Sequence, residues 1–267
     1  DLILKSSQYN ISTCYLFASR RCYSLPALAS IEDSDFHFLF DGGRRHSVLT
    51  LFNKLGISKE KISPLVAKYF SNPEEIIDQP AHYRKLEALF MEAGNIIAEH
   101  AAEERKVLVT YFKKNGVYDE KIIIVDIGWH GSLQRAMQKM SQIEGKNCDI
   151  KGLYFGLFDS PKHFSRECDM NAYFFNYGIP SENEHLIKQS VEVIELLFSA
   201  PHCGVEKITQ QDGQFKAVFT QPTKHEKHRQ HISKQLYHGA MQFIIDFDML
   251  FNGVTLPFTP RNYAAPL

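Results

Sequence analysis

The sequence predicts an α/β fold with a mostly parallel sheet flanked by helices, followed by a β-hairpin and a helical C-terminal appendage. Two apolar runs, residues 122–125 and 150–158, have the β-branched and aromatic composition of strands. Between them, Leu133, Ala136 and Met140 recur at helical spacing. Strand, helix and strand in that order predict a βαβ unit with parallel pairing, so the sheet is expected to be open and Rossmann-like, with 122–125 as a buried strand.

Apolar spacing and breaker residues predict the remaining elements. They are strands at 14–18 and 172–175, helices at 45–55, from 72, at 83–102, 104–114, 186–198 and 225–251, and hairpin strands at 205–208 and 215–219. We expect residues 1–204 to form the α/β core and residues 205–267 to form a hairpin and helix packed on it. The first residue is not a methionine, which indicates a domain of a longer polypeptide.

Composition narrows the class of protein. The chain has 267 residues, of which 44% are hydrophobic and 23% charged, as in ordinary globular domains. A net charge of −1 predicts no general attraction to nucleic acid. No run approaches the roughly 18 apolar residues of a membrane span, and no signal peptide is recognisable, so a soluble, cytoplasmic protein is expected. The five cysteines are scattered and form no Cys-x-x-Cys, which predicts free thiols.

The segment after the strand at 122–125 is typical of an anion site. Asp126 stands at the carboxyl end of that strand, where open α/β sheets bind ligands. Gly128 and Gly131 free the backbone for a tight turn, and Ser132 is expected to cap the following helix, whose positive dipole end faces the turn. The alternative is a plain connection with a good cap. Trp129, the single tryptophan, favours a ligand site.

Two arginine pairs are further candidates for holding phosphate, because guanidinium is a charged fork of donors. Ser19, Arg20 and Arg21 follow the strand predicted at 14–18, and the alternative is an exposed pair at a sheet edge. Arg44 and Arg45 follow two glycines and precede a helix, and the alternative is a flexible surface loop.

Charged and titratable residues in the C-terminal third give weaker candidates. Glu192 and Glu195 lie three apart on a helix face that is otherwise rich in apolar residues, and Glu195 is the better candidate for a general base, with a structural ion pair as the alternative. His202 follows that helix and is a candidate for binding phosphate or moving a proton. The histidines at 225, 228 and 231 have charged neighbours, which indicates a solvated helix face rather than a metal site.

Four strings together resemble a bacterial family. They are Tyr15-Leu-Phe-Ala-Ser-Arg-Arg-Cys-Tyr-Ser-Leu-Pro-Ala-Leu28, Val125-Asp-Ile-Gly-Trp-His-Gly-Ser-Leu-Gln134, Gly152-Leu-Tyr-Phe-Gly-Leu157 and Glu195-Leu-Leu-Phe-Ser-Ala-Pro-His202. This set resembles the region that follows a haloacid-dehalogenase-like phosphatase domain in polysaccharide-biosynthesis proteins. In dual-domain ribofuranosyltransferases, that region is a glycan phosphoribosyltransferase.

The resemblance implies an activity and its partners. The donor would be phosphoribosyl pyrophosphate (PRPP), which would bring Mg²⁺ with its diphosphate, and the acceptor a lipid-linked glycan of an O antigen or capsule. A phosphatase domain in the same or an adjacent polypeptide would remove the 5-phosphate, at the inner face of the membrane. Ordinary phosphoribosyltransferases carry two adjacent acids after the strand, whereas this chain has Asp126 alone. The haloacid-dehalogenase nucleophile string is absent from the sequence.

The expected site combines residues of these strings with the arginine pair at 44 and 45. Asp126 and Glu195 are the alternative catalytic bases. The residues expected to bind substrate are Ser19, Arg20, Arg21, Arg44, Arg45, Gly128, Trp129, His130, Gly131, Ser132, Gln134 and His202. Two other functions remain open: transfer of another glycosyl or phosphoglycosyl group from a nucleotide sugar, and a non-catalytic module that docks glycan beside the phosphatase.

Overall fold

The structure is a computed structural model that describes residues 12–29, 46–77, 80–118, 121–146, 148–158, 168–179 and 182–250. In chain order its elements are α1 (Arg20–Ser24), α2 (Val48–Lys54), α3 (Lys59–Tyr69), α4 (Pro80–Glu92), α5 (Gly94–Lys114), β1 (Lys121–Asp126), α6 (Ser132–Ile143), β2 (Asp149–Gly156), β3 (Asp169–Phe175), α7 (Glu182–Gln189), α8 (Val191–Phe198), β4 (Val205–Gln211), β5 (Gln214–Phe219) and α9 (Lys224–Leu250).

The predicted α/β class is confirmed. β1, β2 and β3 form a parallel sheet in that order, with Ile122 opposite Ile150 and Asp126 opposite Tyr154. The βαβ unit of β1, α6 and β2 is therefore present. β4 and β5 form the predicted antiparallel hairpin around Asp212 and Gly213, both with positive φ. The long C-terminal helix, α9, is also confirmed.

The prediction of a buried first strand is wrong. β1 is at the edge of the described sheet, and its side chains alternate between exposed and half-buried. Ile122 and Ile124 pack on the core, whereas Ile123 and Val125 are exposed. In β1, a continuous run of β-branched residues therefore does not mean that both faces of the strand are buried.

Four other predicted elements differ from the structure. Residues 14–18 form no strand, although the backbone N–H of Phe17 donates to the Tyr111 hydroxyl. Asn72 begins a turn rather than a helix. The helix predicted at 83–102 is interrupted at Ala93, next to Gly94, whose lack of a side chain weakens a helix. The helix predicted at 186–198 is interrupted at Ser190.

Three buried clusters hold these elements together. The first joins α2, α3, α4 and the first half of α5, around Phe52 and Leu89. The second lies between the covered face of the sheet, α1, α5, α6 and the hairpin; Tyr23, Phe112 and Val205 belong to it. The third surrounds Trp129 at the carboxyl end of the sheet. Because Val205 lies in the second cluster, the hairpin shares the core of the α/β unit.

Candidate active site at the carboxyl end of the sheet

The turn from β1 to α6 is shaped by two glycines. Gly128 has a φ of +129°, and a Cβ there would lie 2.3 Å from the carbonyl oxygen of Gly156. Gly131 has a φ of +69°, and a Cβ there would lie 2.2 Å from Sδ of Met170. The Gly128–Trp129 peptide bond is cis. At Gly128 the backbone carbonyl leaves room only for hydrogen, whereas at Gly131 a side chain would have to displace the end of Met170.

The expected helix cap is wrong by one residue. α6 begins at Ser132, and its N-cap is Gly131, which offers no side-chain hydrogen bond. The first backbone N–H groups of α6 consequently have no side-chain cap from that residue. Such groups carry partial positive charge and are the part of a helix that binds anions.

Asp126 is a partly buried acid at the entrance of this turn. Burial raises its pKa, while hydrogen bonds from the backbone N–H groups of Ile127 and Gly128 and the positive charge of Arg20 oppose that rise; the net pKa is above the usual range. Arg20, the first residue of α1, is exposed. α1 therefore brings a guanidinium group into electrostatic range of the acid at the end of β1.

Trp129 is buried and links the turn to α8. Its ring stacks on Phe158, with centroids 4.7 Å apart, and lies nearly parallel to Phe175 at 6.3 Å. Its indole Nε1 donates a hydrogen bond to Oε1 of Glu195 at 3.0 Å. Trp129 is thus occupied by packing rather than open for stacking on a sugar. It joins the exposed carboxylate of Glu195 to the same turn as Asp126.

Gln134 has a structural role. Its side chain is completely buried, and its Nε2 donates to the carbonyl oxygens of Ile150 at 2.9 Å and Asp169 at 3.0 Å. Its Oε1 accepts a hydrogen bond from the Tyr154 hydroxyl at 2.8 Å. These bonds fix α6 to β2 and β3. Burial, followed by the charge of Asp126, raises the pKa of Tyr154, which indicates that the tyrosine lies close to that acid.

Ser19 and Arg21 are likewise used inside the protein. Ser19 caps α1 by accepting from the backbone N–H of Cys22, and its hydroxyl donates to the carbonyl of Val205 at 2.5 Å. All five N–H groups of Arg21 have acceptors within the chain. These acceptors are the Glu104 carboxylate, which takes two, and the carbonyls of Lys54, Leu55 and Glu206. Of the two neighbouring arginines, Arg20 is therefore the one that stays in the candidate site.

The two histidines of the expected site have different surroundings. His130 is exposed on the turn, and its ring centroid lies 6.2 Å from that of Phe158. His202 is held by the Tyr15 hydroxyl, 2.9 Å from Nε2, and by the carbonyl of Cys203, 2.7 Å from Nδ1. Because a carbonyl can only accept, Nδ1 carries a proton, and in a neutral ring Nε2 therefore accepts from Tyr15. His202 also packs on Phe17 and Phe219, beside the hairpin.

Arg44 and Arg45 lie outside the described residues. One cation that the sequence did not suggest is placed near the turn. Nζ of Lys188, on α7, lies 5.4 Å from the ring centroid of Phe158, the residue that stacks on Trp129, and 3.3 Å from Glu184. Its spacing from Glu184 is visible in the sequence, but its position beside the turn depends on how α7 packs.

Within the described residues, no group of three or more His, Cys, Asp or Glu side chains is arranged to hold a metal ion. None of the helices described has both the length and the apolar character needed to cross a bilayer. Neither a scan against models of known protein families nor a search of curated proteins gives a match.

Proposed function

We propose that this protein is a glycan phosphoribosyltransferase, which transfers 5-phosphoribosyl from PRPP to a sugar hydroxyl of a bacterial surface polysaccharide. The observation that carries the proposal is Asp126, an acid of raised pKa beside Arg20, at a glycine turn that leads into the N-terminus of α6. The four strings that resemble ribofuranosyltransferase domains, two of which contain Arg20 and Asp126, also support it.

The proposed reaction is a substitution at C1 of the ribose. The acceptor hydroxyl oxygen forms a bond to C1 as the bond from C1 to the diphosphate oxygen breaks, and diphosphate leaves with the electron pair. The proton of the hydroxyl passes to a carboxylate. Attack from the opposite face converts the α-configured donor into a β-ribofuranoside.

Asp126 is the first candidate for that carboxylate. A raised pKa makes a carboxylate a stronger proton acceptor at neutral pH, which is what general-base catalysis requires. Glu195 is the second candidate, because the Trp129 indole holds it at the same turn. Mg²⁺ would arrive with the diphosphate, and one or two carboxylates usually hold it in proteins. Asp126 is the carboxylate of the turn that could do so. No step above depends on the metal.

Charge stabilisation would come from three groups around the turn. The backbone N–H groups at the start of α6 carry partial positive charge, and the guanidinium of Arg20 carries a full positive charge. Both are suited to binding phosphate oxygens. Lys188 adds an ammonium group beside Phe158. The glycan acceptor, carried on a lipid, would approach from the side of Glu195, which is exposed.

The direct test uses isotope-labelled PRPP with synthetic O-antigen acceptors and measures labelled product and diphosphate. We expect Asp126→Asn and Arg20→Ala each to lower the rate at least tenfold, equivalent to about 1.4 kcal/mol. Matched controls are Asp212→Asn in the exposed hairpin turn and Arg84→Ala on the exposed side of α4. Near-normal turnover by both site variants would contradict the assignment.

The same assay separates the two other functions. Turnover with a nucleotide sugar and none with PRPP would indicate a different glycosyltransferase. Glycan binding without release of diphosphate, unchanged by Asp126→Asn, would indicate a docking module. Transfer that depends on both PRPP and the acceptor is the outcome that we expect.

A further inference from the structure

The last turn of α5 is followed by an Asn-Gly dipeptide, Asn115–Gly116, which has no part in the proposed reaction. In an unfolded chain, asparagine before glycine loses its side-chain ammonia readily, because glycine has no side chain to shield its backbone nitrogen from the neighbouring amide. Whether Asn115 is modified in the folded protein therefore depends on how the end of α5 holds the two reacting groups.

The reaction consumes water and releases ammonia. The backbone nitrogen of Gly116 gives its proton to solvent and forms a bond to Cγ of Asn115. The bond from Cγ to Nδ2 breaks as the amide group takes a proton from solvent and leaves as ammonia. Water then opens the resulting cyclic imide at either of its carbonyl carbons. The product is aspartate or isoaspartate, in which the main chain runs through the side-chain carbon.

The attacking nitrogen is engaged in a Schellman motif that ends α5. With Asn115 as the C-cap, the N–H of Gly116 donates to the carbonyl of Lys113 at 3.2 Å, and the N–H of Val117 donates to that of Phe112 at 3.0 Å. Gly116 has a φ of +71°, a conformation that favours glycine. The helix ending that selects glycine after Asn115 thus also occupies the N–H that would have to react.

The amide that would leave is held as well. Nδ2 of Asn115 donates to the carbonyl of Tyr111, one turn back in α5, at 2.8 Å. The same end of α5 is tied to the segment before α1, because the Cys14 thiol donates to the carbonyl of Asn115 at 3.6 Å and the N–H of Phe17 donates to the Tyr111 hydroxyl at 3.0 Å. Attack on Cγ would therefore require the last turn of α5 to open first.

We infer that Asn115 is a deamidation site that the Schellman motif keeps unreactive in the folded protein and that becomes reactive when the last turn of α5 opens. Helix ends open locally at a lower free energy than the whole domain unfolds, so the reaction should follow this local opening. The inference does not rest on the proposed reaction of the protein.

Modification would hinder the turn from closing again. Aspartate at this position has no N–H to donate to the Tyr111 carbonyl, and its negative charge would lie at the negative end of the helix dipole. Isoaspartate would in addition lengthen the main chain inside the Schellman motif. Deamidation of Asn115 would therefore leave a lasting record that the end of α5 had opened.

Mass spectrometry of the full chain during incubation at neutral pH tests the inference. The peptide that contains residues 115 and 116 reports deamidation, and a synthetic peptide of residues 111–118 in the same buffer is the unfolded reference. We expect the folded chain to react at least tenfold more slowly than the peptide, equivalent to an opening free energy of about 1.4 kcal/mol or more. Equal rates in the folded chain and the peptide would overturn the inference.

A pair of valine substitutions distinguishes local opening from global unfolding. Val117→Ala weakens the motif without changing the dipeptide, since Val117 and Phe112 are both buried in the second cluster. Val66→Ala is the matched control, because Val66 is buried on α3 in the first cluster. With both variants shown to be folded by circular dichroism, we expect Val117→Ala to deamidate severalfold faster than wild type and Val66→Ala to react at the wild-type rate. The inference fails if Val117→Ala is no faster than wild type, or if Val66→Ala accelerates the reaction equally.

Discussion

Asp126 and Trp129 lie on one turn but differ in what surrounds them. Asp126 is partly buried with a guanidinium group nearby, so its carboxylate stays chemically available while its pKa rises. Trp129 is enclosed by aromatic rings and uses its indole N–H to hold Glu195. The acid is therefore a candidate for chemistry, and the tryptophan is a candidate for positioning a second acid.

Asp126→Asn should raise the free energy of unfolding at neutral pH while lowering turnover. Because the folded pKa is raised, the contribution of Asp126 to stability is fully present below its unfolded pKa of about 3.9 and is lost as pH rises through the folded pKa. Urea unfolding across this range should show a growing advantage of the variant as pH rises. A variant less stable than wild type at neutral pH would contradict this expectation.

The Trp129–Glu195 hydrogen bond can be tested by a double-mutant cycle. Trp129→Phe keeps an aromatic ring against Phe158 but removes the N–H donor, and Glu195→Gln removes the charge. If Glu195 acts through this bond, the two effects on kcat should be coupled by about 0.5–3 kcal/mol. Glu192→Gln, on the exposed surface of the same helix, is the control and should show no coupling with Trp129→Phe.

At the scale of elements, the β1–α6 turn depends on glycine to different degrees along its length. The clash expected at Gly128 is with a backbone carbonyl, which cannot move out of the way, whereas the clash at Gly131 is with the flexible end of Met170. Gly145, just after α6, has a φ of +62° and open space around it. A side chain at any of the three positions would pay for the positive φ, but only at Gly128 and Gly131 would it also meet nearby atoms. Comparing the three substitutions therefore separates the free-energy cost of the backbone conformation from that of crowding.

Alanine at these positions should destabilise the protein in the order Gly128, Gly131, Gly145. Gly145→Ala should cost about 1–2 kcal/mol, the cost of a left-handed conformation alone. Gly128→Ala should add roughly 1–3 kcal/mol of overpacking. Denaturant unfolding measures all three, and equal losses would mean that the contact between Gly128 and Gly156 does not constrain the turn.

The elements also show where sequence patterns are informative. The hairpin was predicted because Asp212 and Gly213 adopt positive φ readily, a property of the residues themselves. The sequence does not predict the exposure of Val125, because a β-branched run looks the same in a strand whose sheet is covered on one face and in a strand whose sheet is covered on both. The interruption at Ala93 has a local signal in Gly94, but apolar spacing continues across it.

For the whole molecule, Arg21 joins parts that are distant in sequence. It bonds to the C-terminal carbonyls of α2, to Glu104 on α5 and to the backbone of β4, and thereby ties the helical part to the hairpin. The His100 imidazole is a second neighbour of this carboxylate, with Nε2 3.2 Å from Glu104. Burial alone would raise the pKa of Glu104, but hydrogen bonds and charges from His100 and Arg21 outweigh burial and lower it.

Arg21→Ala should cost about 3–5 kcal/mol of stability, because it leaves a buried carboxylate without its main partner. The lowered pKa of Glu104 gives stability that is present above its unfolded pKa of about 4.3 and is lost as pH falls through the folded pKa. The difference between wild type and Arg21→Ala in urea unfolding should therefore shrink at acid pH. A loss under 1 kcal/mol, or a difference that grows in acid, would contradict this role.

The sequence by itself determined the βαβ unit, the acid at the end of β1, the glycine turn and the hairpin, because local periodicity and backbone freedom are properties of neighbouring residues. Only the tertiary structure decided which polar groups are consumed by packing. Arg21 and Gln134 look like ligands in the sequence, but their partners come from distant segments. The same packing brings Arg20 into electrostatic range of Asp126 and leaves Ile123 and Val125 exposed on one face of the described sheet. Burial is a relation between segments that no single stretch of chain encodes.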